Sequence, residues 1–294
     1  MRIDVYLPLA LSLLLAAVAP RVGGRIAPAL AARALAAAAL LTATATTWAL
    51  VLLAVTLVGD TREGGGRTVP EPVPESIGIA ALLALAVLAY RLLRTLRSET
   101  AGRRALRRLC AGHPGDTELI VADSAVPRAF AIPATRRAPG RILVTSAMLA
   151  ALQPAERRAL LAHERAHLTH RHALIATGMA LAIAVNPLLA PVGATVSFLA
   201  ERWADESAAG AVGDRATTAR AIARAALVAH RPRPARALGF SDRAVTRRIA
   251  ALNTAPPPHL RPLAAAVLAL GVAPALGAAD ATGDLLSLLQ RVFV

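Results

Sequence analysis

The chain has no lysine, a single cysteine and few aromatic residues, and these shortages limit the classes of function that it can have. All 33 basic residues are arginine, and only 3% of the 294 residues are aromatic. The lone thiol of Cys110 cannot form an intrachain disulfide, which is consistent with a cytosolic domain. Two tryptophans, two tyrosines and four phenylalanines offer little surface for base stacking, and the arginines are spread along the chain. We therefore expect no direct nucleic-acid partner.

Long hydrophobic runs indicate a membrane protein. The chain is 56% hydrophobic, and its net charge of +15 favours anionic lipid as a neighbour. A helix needs about 20 apolar residues to cross the bilayer core, with a lower limit of about 17. The first and third candidate runs are therefore marginal; a cleaved signal peptide is the alternative for the first, although Asp4 interrupts the charged start. The runs are Val5–Ala19, Leu35–Val58, Ile77–Tyr90 and Leu263–Ala279.

The charges between these runs predict their orientation. Residues 20–34 contain three arginines and no acid, whereas residues 59–76 contain four acids against two arginines. The segment 91–108 contains seven arginines, and Glu99 is its only acid. Because positively charged loops stay inside, we expect a multi-pass plasma-membrane protein with residues 91–258 in the cytosol.

One motif points to chemistry. His163-Glu164-Arg165-Ala166-His167 places two imidazoles one turn apart on the same face of a helix, where both can reach one metal ion. Glu164 lies beside that position and can take a proton from water. This is the H-E-x-x-H arrangement of zinc peptidases. Pro154 and Glu156 favour a helix start just upstream.

A second acidic pair can complete the site. Glu201 and Asp205 are one helical turn apart, and two histidines with a glutamate are an established ligand set for catalytic zinc. Asp205 could accept the free ring N–H of a metal-binding histidine. The alternatives are that both acids are solvated surface charges, or that His170 or His172 contacts the metal. Ala173 excludes the longer motif that ends in a third histidine.

These residues resemble the integral-membrane gluzincin peptidases. That group includes the heat-shock membrane peptidases, the prenyl-protein endopeptidases and the antirepressor peptidases of the beta-lactam sensor-transducer type. The resemblance covers residues 100–255, and its specific parts are the two metal elements. Ser241-Asp242 stands where heat-shock peptidases usually have a His-Pro pair, which favours the antirepressor branch.

The resemblance implies a role for each matching residue. His163, His167 and Glu201 would bind one Zn²⁺ per chain, Glu164 would be the general base, and Asp205 would hold a zinc-binding histidine. Other divalent ions can occupy such sites. The remaining candidates are Arg243, Arg247 and Arg248 for oxyanion or substrate contacts, and Ala129, Phe130 and Ala131 as an edge strand that binds substrate by strand addition.

The resemblance also implies a protein or peptide substrate, with a winged-helix repressor as one candidate. A membrane quality-control protease and a catalytically inactive membrane scaffold are the alternative functions. Metal content would separate the scaffold from a protease, since only the protease requires the ion.

The expected fold is mainly α and membrane-integral, with a cytosolic α+β zincin domain that has short strands near 119–122, 129–132 and 141–145. We expect three spans in residues 1–94, the metallopeptidase domain in 95–258, and a last span with a short tail in 259–294. The apolar stretch 173–199 contains Asn186-Pro187 and Pro191. It has to return to its starting side as a helical hairpin if Glu201 is to share a metal with His167.

Overall fold

The computed structural model describes residues 7–60, 74–114, 117–136, 138–229 and 241–293. Within these ranges the chain is mainly helical and has one small three-stranded sheet, which confirms the predicted fold class. The helices before the sheet are α1 (Leu7–Gly23), α2 (Pro28–Asp60) and α3 (Glu75–Arg108). The strands are β1 (Leu119–Ala122), β2 (Ala129–Ile132) and β3 (Arg141–Thr145), each at the position predicted from the sequence. The later helices are α4 (Ser146–Ala151), α5 (Pro154–Thr169), α6 (His172–Val185), α7 (Ala190–Val212), α8 (Arg215–Ala229), α9 (Ser241–Leu252) and α10 (Arg261–Phe293).

Three helices in the described ranges are long and apolar enough to cross a membrane. They lie in α2, α3 and α10 and cover Pro28–Val55, Glu75–Arg108 and Arg261–Asp280. The first predicted run forms α1, a shorter apolar helix of 17 residues. Residues 61–73, within the predicted external segment 59–76, lie outside the described residues. Helix α10 continues to Phe293, so the predicted C-terminal tail is helical in this structure.

Helices α2 and α10 approach each other closely at Gly271. A Cβ atom added to Gly271 would lie 2.5 Å from the Cα of Ala38 and 2.8 Å from its carbonyl oxygen. Such a contact between backbones requires small residues on both helices, as at other helix interfaces in membranes.

Gly271→Ala is therefore expected to lower the stability of the detergent-solubilised protein by about 1–3 kcal/mol, since the added methyl group forces α2 and α10 apart. Thermal unfolding in detergent would measure the effect as a lower melting temperature. Gly283→Ala is the matched control on the same helix, because no atom lies within 4 Å of the added Cβ there. An equal change in both variants would show that the α2–α10 contact does not limit stability.

The apolar stretch after α5 forms a hairpin. Helix α6 ends at Val185, a short 3₁₀ turn covers Pro187–Leu189, and α7 runs back. The amide of Asn186 at the turn donates to Ser12 at 2.8 Å and to Thr46 at 3.1 Å, so this buried polar group is paired among α1 and α2. Pairing of this kind is required wherever polar groups lie among apolar helices. The hairpin brings the second half of α7 back beside α5.

Strand β2 is one of the two edge strands of the sheet in the described part of the chain. The strand order is β1-β3-β2, with β1 parallel and β2 antiparallel to β3. The amide of Thr145 donates to the carbonyl of Arg128 at 2.9 Å. Since hydrogen-bonded pairs alternate along an antiparallel ladder, the backbone groups of Ala129 and Ala131 point to the open edge. This edge lies beside α5.

Candidate metal centre

Helix α5 fixes the two histidines. Its first turn is held by Glu156, which accepts from the amide of Gln153 at 2.8 Å and from Arg224 on α8 at 3.0 Å. From this start the helix runs to Thr169 without interruption. The chain then bends by 57° into α6. The Nε2 atoms of His163 and His167 are 3.1 Å apart, so both rings point to one position.

Glu201 on α7 completes a triangle with these rings. One of its carboxylate oxygens lies 3.5 Å from Nε2 of His163, and the other lies 3.6 Å from Nε2 of His167. Three ligands at about 2.0–2.1 Å from one tetrahedral zinc ion would be about 3.3 Å apart. These three residues are the group of possible metal ligands in the described ranges. The donor types and spacings therefore fit a zinc ion.

His163 is oriented by a carboxylate from α7. Its Nδ1 atom lies 2.9 Å from Oδ1 of Asp205, which is buried. Arg248 on α9 binds Asp205 with two nitrogens, at 2.7 and 2.8 Å, and contacts Glu201 with the third at 2.9 Å. The guanidinium of Arg248 thus holds both Asp205, which contacts His163, and Glu201.

His167 is oriented by a different group, the imidazole of His172. Their Nδ1 atoms are 2.9 Å apart. If Nε2 of His167 binds metal, its proton must be on Nδ1, so Nδ1 of His172 is the acceptor and His172 carries its own proton on Nε2. Trp203 packs against the His172 ring at 4.7 Å between centroids, and Arg33 of α2 lies over Trp203. Burial lowers the pKa of His172 to about 3, so the ring is neutral, and the packing holds it in place.

A substitution series at His172 would test this contact. His172→Asn keeps an acceptor near the position of Nδ1, whereas His172→Phe removes it at similar volume. We expect the phenylalanine variant to lose about 10–100-fold in zinc affinity, as is typical when the hydrogen-bond partner of a metal-binding histidine is removed, and the asparagine variant to lose less. Competition with a chromogenic chelator would measure both affinities. Equal losses would show that His172 acts through packing alone.

The electrostatics of the cluster favour a cation. Burial lowers the pKa of His163, but the carboxylates of Asp205 and Glu201 outweigh it and raise that pKa to about 9. Burial raises the pKa of Glu201, but His163 and Arg248 outweigh this effect and lower it to about 2. With neutral histidines, the carboxylates of Glu164, Glu201 and Asp205 exceed the single charge of Arg248. A divalent ion would offset this excess.

Glu164 points into a cleft beside the triangle. It is buried, and burial raises the pKa of its carboxyl group. The carboxylate accepts a hydrogen bond from the backbone of Ala131 on β2. The cleft next to it has a volume of about 510 Å³. Its apolar lining includes Val126, Phe130, Met148, Leu160, Ile222 and Val245.

The other predicted residues lie at different distances from the centre. Of the three arginines, Arg248 reaches the metal triangle, Arg247 lies over the ring of Phe198 at 4.3 Å, and Arg243 is exposed. His170 contacts Ser207 at 3.2 Å and belongs to no group of metal ligands in the described ranges. The sequence identified His172 only as an alternative ligand, because a side chain that contacts a candidate ligand such as His167 follows no spacing rule of its own.

Comparison with known proteins agrees with this geometry. The profile of peptidase family M48 matches residues 92–261, which is more than half of the chain and includes β1–β3, α5, α7 and α9. No curated protein and no solved structure matches the chain. The matched range includes the triangle of His163, His167 and Glu201 with Glu164 beside it. The chain belongs to peptidase family M48, a family of gluzincin metallopeptidases.

Proposed function

We propose that the chain is a membrane-embedded zinc endopeptidase, with one zinc ion per chain held by His163, His167 and Glu201. The observation that carries this proposal is the convergence of the three side chains. The two Nε2 atoms are 3.1 Å apart, each lies 3.5–3.6 Å from an oxygen of Glu201, and one ligand atom from each residue lies within 4.8 Å of the others. When bound, zinc supplies a Lewis acid that polarises the scissile carbonyl and lowers the pKa of water towards 7.

Glu164 is the proton carrier in this proposal. Its carboxylate lies between the metal triangle and the open edge of β2, where Ala131 contacts it. Glu164 takes a proton from the attacking water and then gives it to the leaving amine, which allows one side chain to act first as base and then as acid. The raised pKa of Glu164 suits both steps, because a carboxyl group with a pKa closer to 7 holds the proton more readily between them.

Arg248 and Asp205 act as positioning residues. All three nitrogens of Arg248 that face the centre contact carboxylates, and so its guanidinium orients Glu201 and Asp205 rather than the substrate. Asp205 holds the His163 ring with Nε2 towards the metal position. Arg243 and Arg247 remain candidates for contacts with substrate or lipid.

The substrate enters as an added strand on β2 in this proposal, where Ala129, Phe130 and Ala131 line the edge. The arginine-rich segments 21–33 and 91–108 support an orientation with the protease domain in the cytosol of the plasma membrane. Ser241-Asp242 supports the antirepressor branch, in which the substrate is a cytosolic winged-helix repressor.

Removal of the metal tests the proposed activity directly. The detergent-purified protein is expected to cleave an unfolded protein such as casein, to stop after treatment with a chelator, and to resume when zinc is added at about one equivalent. Magnesium added to the same chelated sample is the control, since it prefers oxygen ligands and six-fold coordination. Cleavage that survives full metal removal would show that a contaminating serine or cysteine protease is responsible.

A further inference from the structure

A second cavity lies at the other end of β2. The apolar cleft borders the start of the strand, at Ala129 and Phe130, whereas a cavity of about 840 Å³ borders its last residue, Ile132. The second cavity is also lined by the segment Pro133–Arg136, which continues β2. Its remaining wall includes His167 and the last turn of α5. The metal triangle thus separates the two cavities along one strand.

The second cavity is strongly basic. Five arginines line it, and Glu118 is the only acid among its described lining residues. Glu118 is paired with Arg165 at 2.7 Å. Arg107 donates to backbone carbonyls of Pro133, Ala138 and Pro139, and Arg103 donates to the hydroxyl of Thr177, which in turn donates to Glu99. Within the described residues, neither guanidinium forms a direct ion pair with a carboxylate. The five arginines are Arg103, Arg107, Arg136, Arg165 and Arg171.

The side chains of two of these arginines make no hydrogen bond or ion pair in the described part of the chain. They are Arg136, directly after β2, and Arg171, between α5 and α6; both are exposed. Arg171 has a backbone φ of 54°, a left-handed conformation that costs a non-glycine residue about 1–2 kcal/mol. A glycine would adopt this conformation without strain, yet the chain has a cation there.

We propose that this cavity binds acidic side chains of the substrate on the N-terminal side of the scissile bond. The inference rests on the proposed peptidase function. An antiparallel strand added to β2 runs from the end of β2 towards its start. Residues before the scissile bond then lie beside Ile132 and the segment after it, in the basic cavity, and residues after the bond lie in the apolar cleft. An extended chain advances about 3.4 Å per residue, so the second and third residues before the bond reach the arginines.

A lipid headgroup is the other anion that a membrane protein could place in this cavity. The position of the cavity favours a peptide, because its walls are the continuation of β2 and the ring of His167. A peptide bound in this cavity would therefore continue along β2 to the reaction centre. A resident lipid would obstruct the same path that the substrate strand has to take.

Binding to the Glu164→Gln protein tests the proposal without requiring turnover. The probes are short fluorescent peptides with a central leucine, carrying aspartates before the leucine, aspartates after it, or serines in both places. We expect the first peptide to bind about tenfold more tightly than the serine peptide, with a smaller ratio at high salt, since exposed charge pairs are screened. Fluorescence anisotropy at low and high ionic strength measures the ratio.

The variants separate this cavity from general charge. Arg136→Glu combined with Arg171→Gly is expected to remove most of the preference, and the glycine relieves the left-handed strain, so the fold is retained. Arg158→Glu is the matched control, because Arg158 is an exposed arginine on α5 that lines neither cavity. Its preference should equal that of the parent protein.

Four outcomes would overturn the subsite. The first two are equal binding of the acidic and serine peptides, and a preference for aspartates after the leucine. The third is a loss of the preference in the Arg158→Glu control that equals the loss in the double variant. The fourth is a double variant that keeps the peptide preference and loses only its binding to phosphatidylglycerol vesicles. Cleavage of the acidic peptide by the wild-type protein is scored separately. Selective binding without any cleavage would contradict the proposed peptidase function and leave the subsite in place.

Discussion

Glu164→Gln is expected to leave metal binding intact and to lower kcat/KM for any cleaved substrate by about 10²–10⁴-fold, the usual contribution of a positioned proton carrier. The glutamine side chain has the same shape, and its carbonyl oxygen can still accept from the backbone of Ala131. It cannot take a proton from water. Metal analysis and peptide hydrolysis on the same preparation would measure the two effects.

The same substitution should not weaken the fold. Burial raises the pKa of Glu164, so ionising this residue costs more in the folded protein than in the unfolded chain. That cost is present above the pKa of the unfolded chain and is absent at lower pH, where the group is neutral in both states. A neutral glutamine avoids it at pH 7, and we expect an equal or higher melting temperature in detergent. Activity and stability would then change in opposite directions.

Glu99→Gln is the matched control for this experiment. Glu99 accepts a hydrogen bond from Thr177 at 3.0 Å and lines neither cavity, and glutamine can accept this bond as well. Its activity should equal that of the parent protein. A Glu164→Gln protein that still cleaves at the parental rate would remove Glu164 from the mechanism, and one that also loses its metal would show a structural role.

The sequence predicted the parts of the site that depend on short spacing. Four residues along a helix bring His163 and His167 to the same face, and this relation holds wherever the helix is placed. The strand positions were equally local, because short apolar runs between Pro and Gly residues mark β1, β2 and β3. Tertiary placement was needed for the rest.

The choice among three arginines shows where local reasoning stops. Arg247 and Arg248 are adjacent on α9, and adjacent helical residues point about 100° apart, so only one of them can face the centre. The sequence does not give the rotation of α9 about its own axis. The structure places Arg248 at Asp205 and Glu201, and Arg247 over Phe198.

The basic cavity likewise depends on tertiary packing and could not be predicted from the sequence. Its arginines come from α3, from the segment after β2, from α5 and from the bend before α6, so they are separated by up to 68 positions in the sequence. In a chain with 33 arginines, no spacing distinguishes these five from the others. Packing of α3 against α6 brings them together, through contacts such as that of Arg103 with Thr177.

The parent protein is expected to bind about one zinc ion per chain, and Glu201→Ala is expected to abolish this binding. The substitution removes one of three ligands and the only carboxylate in the triangle, leaving two neutral imidazoles. We expect a loss of more than a hundredfold in zinc affinity, larger than that caused by changes behind the ligands. Metal analysis of detergent-purified protein prepared without chelators would measure it. The result also tests the hairpin, since only a return of α7 to the side of α5 lets Glu201 share the ion.

Glu201→Gln and His170→Ala complete this experiment. Glutamine keeps the volume of Glu201 but offers zinc a neutral amide oxygen, so it should fail as alanine does, while His170→Ala should bind like the parent because His170 contacts Ser207 and Trp203 instead. Zinc retained by both Glu201 variants would mean that the third ligand is another residue, with His172 the nearest ring to His167 on the opposite side. A parent protein without zinc would favour a membrane scaffold over a protease. In that case the protonated His163 and Arg248 alone would balance the carboxylates of the site.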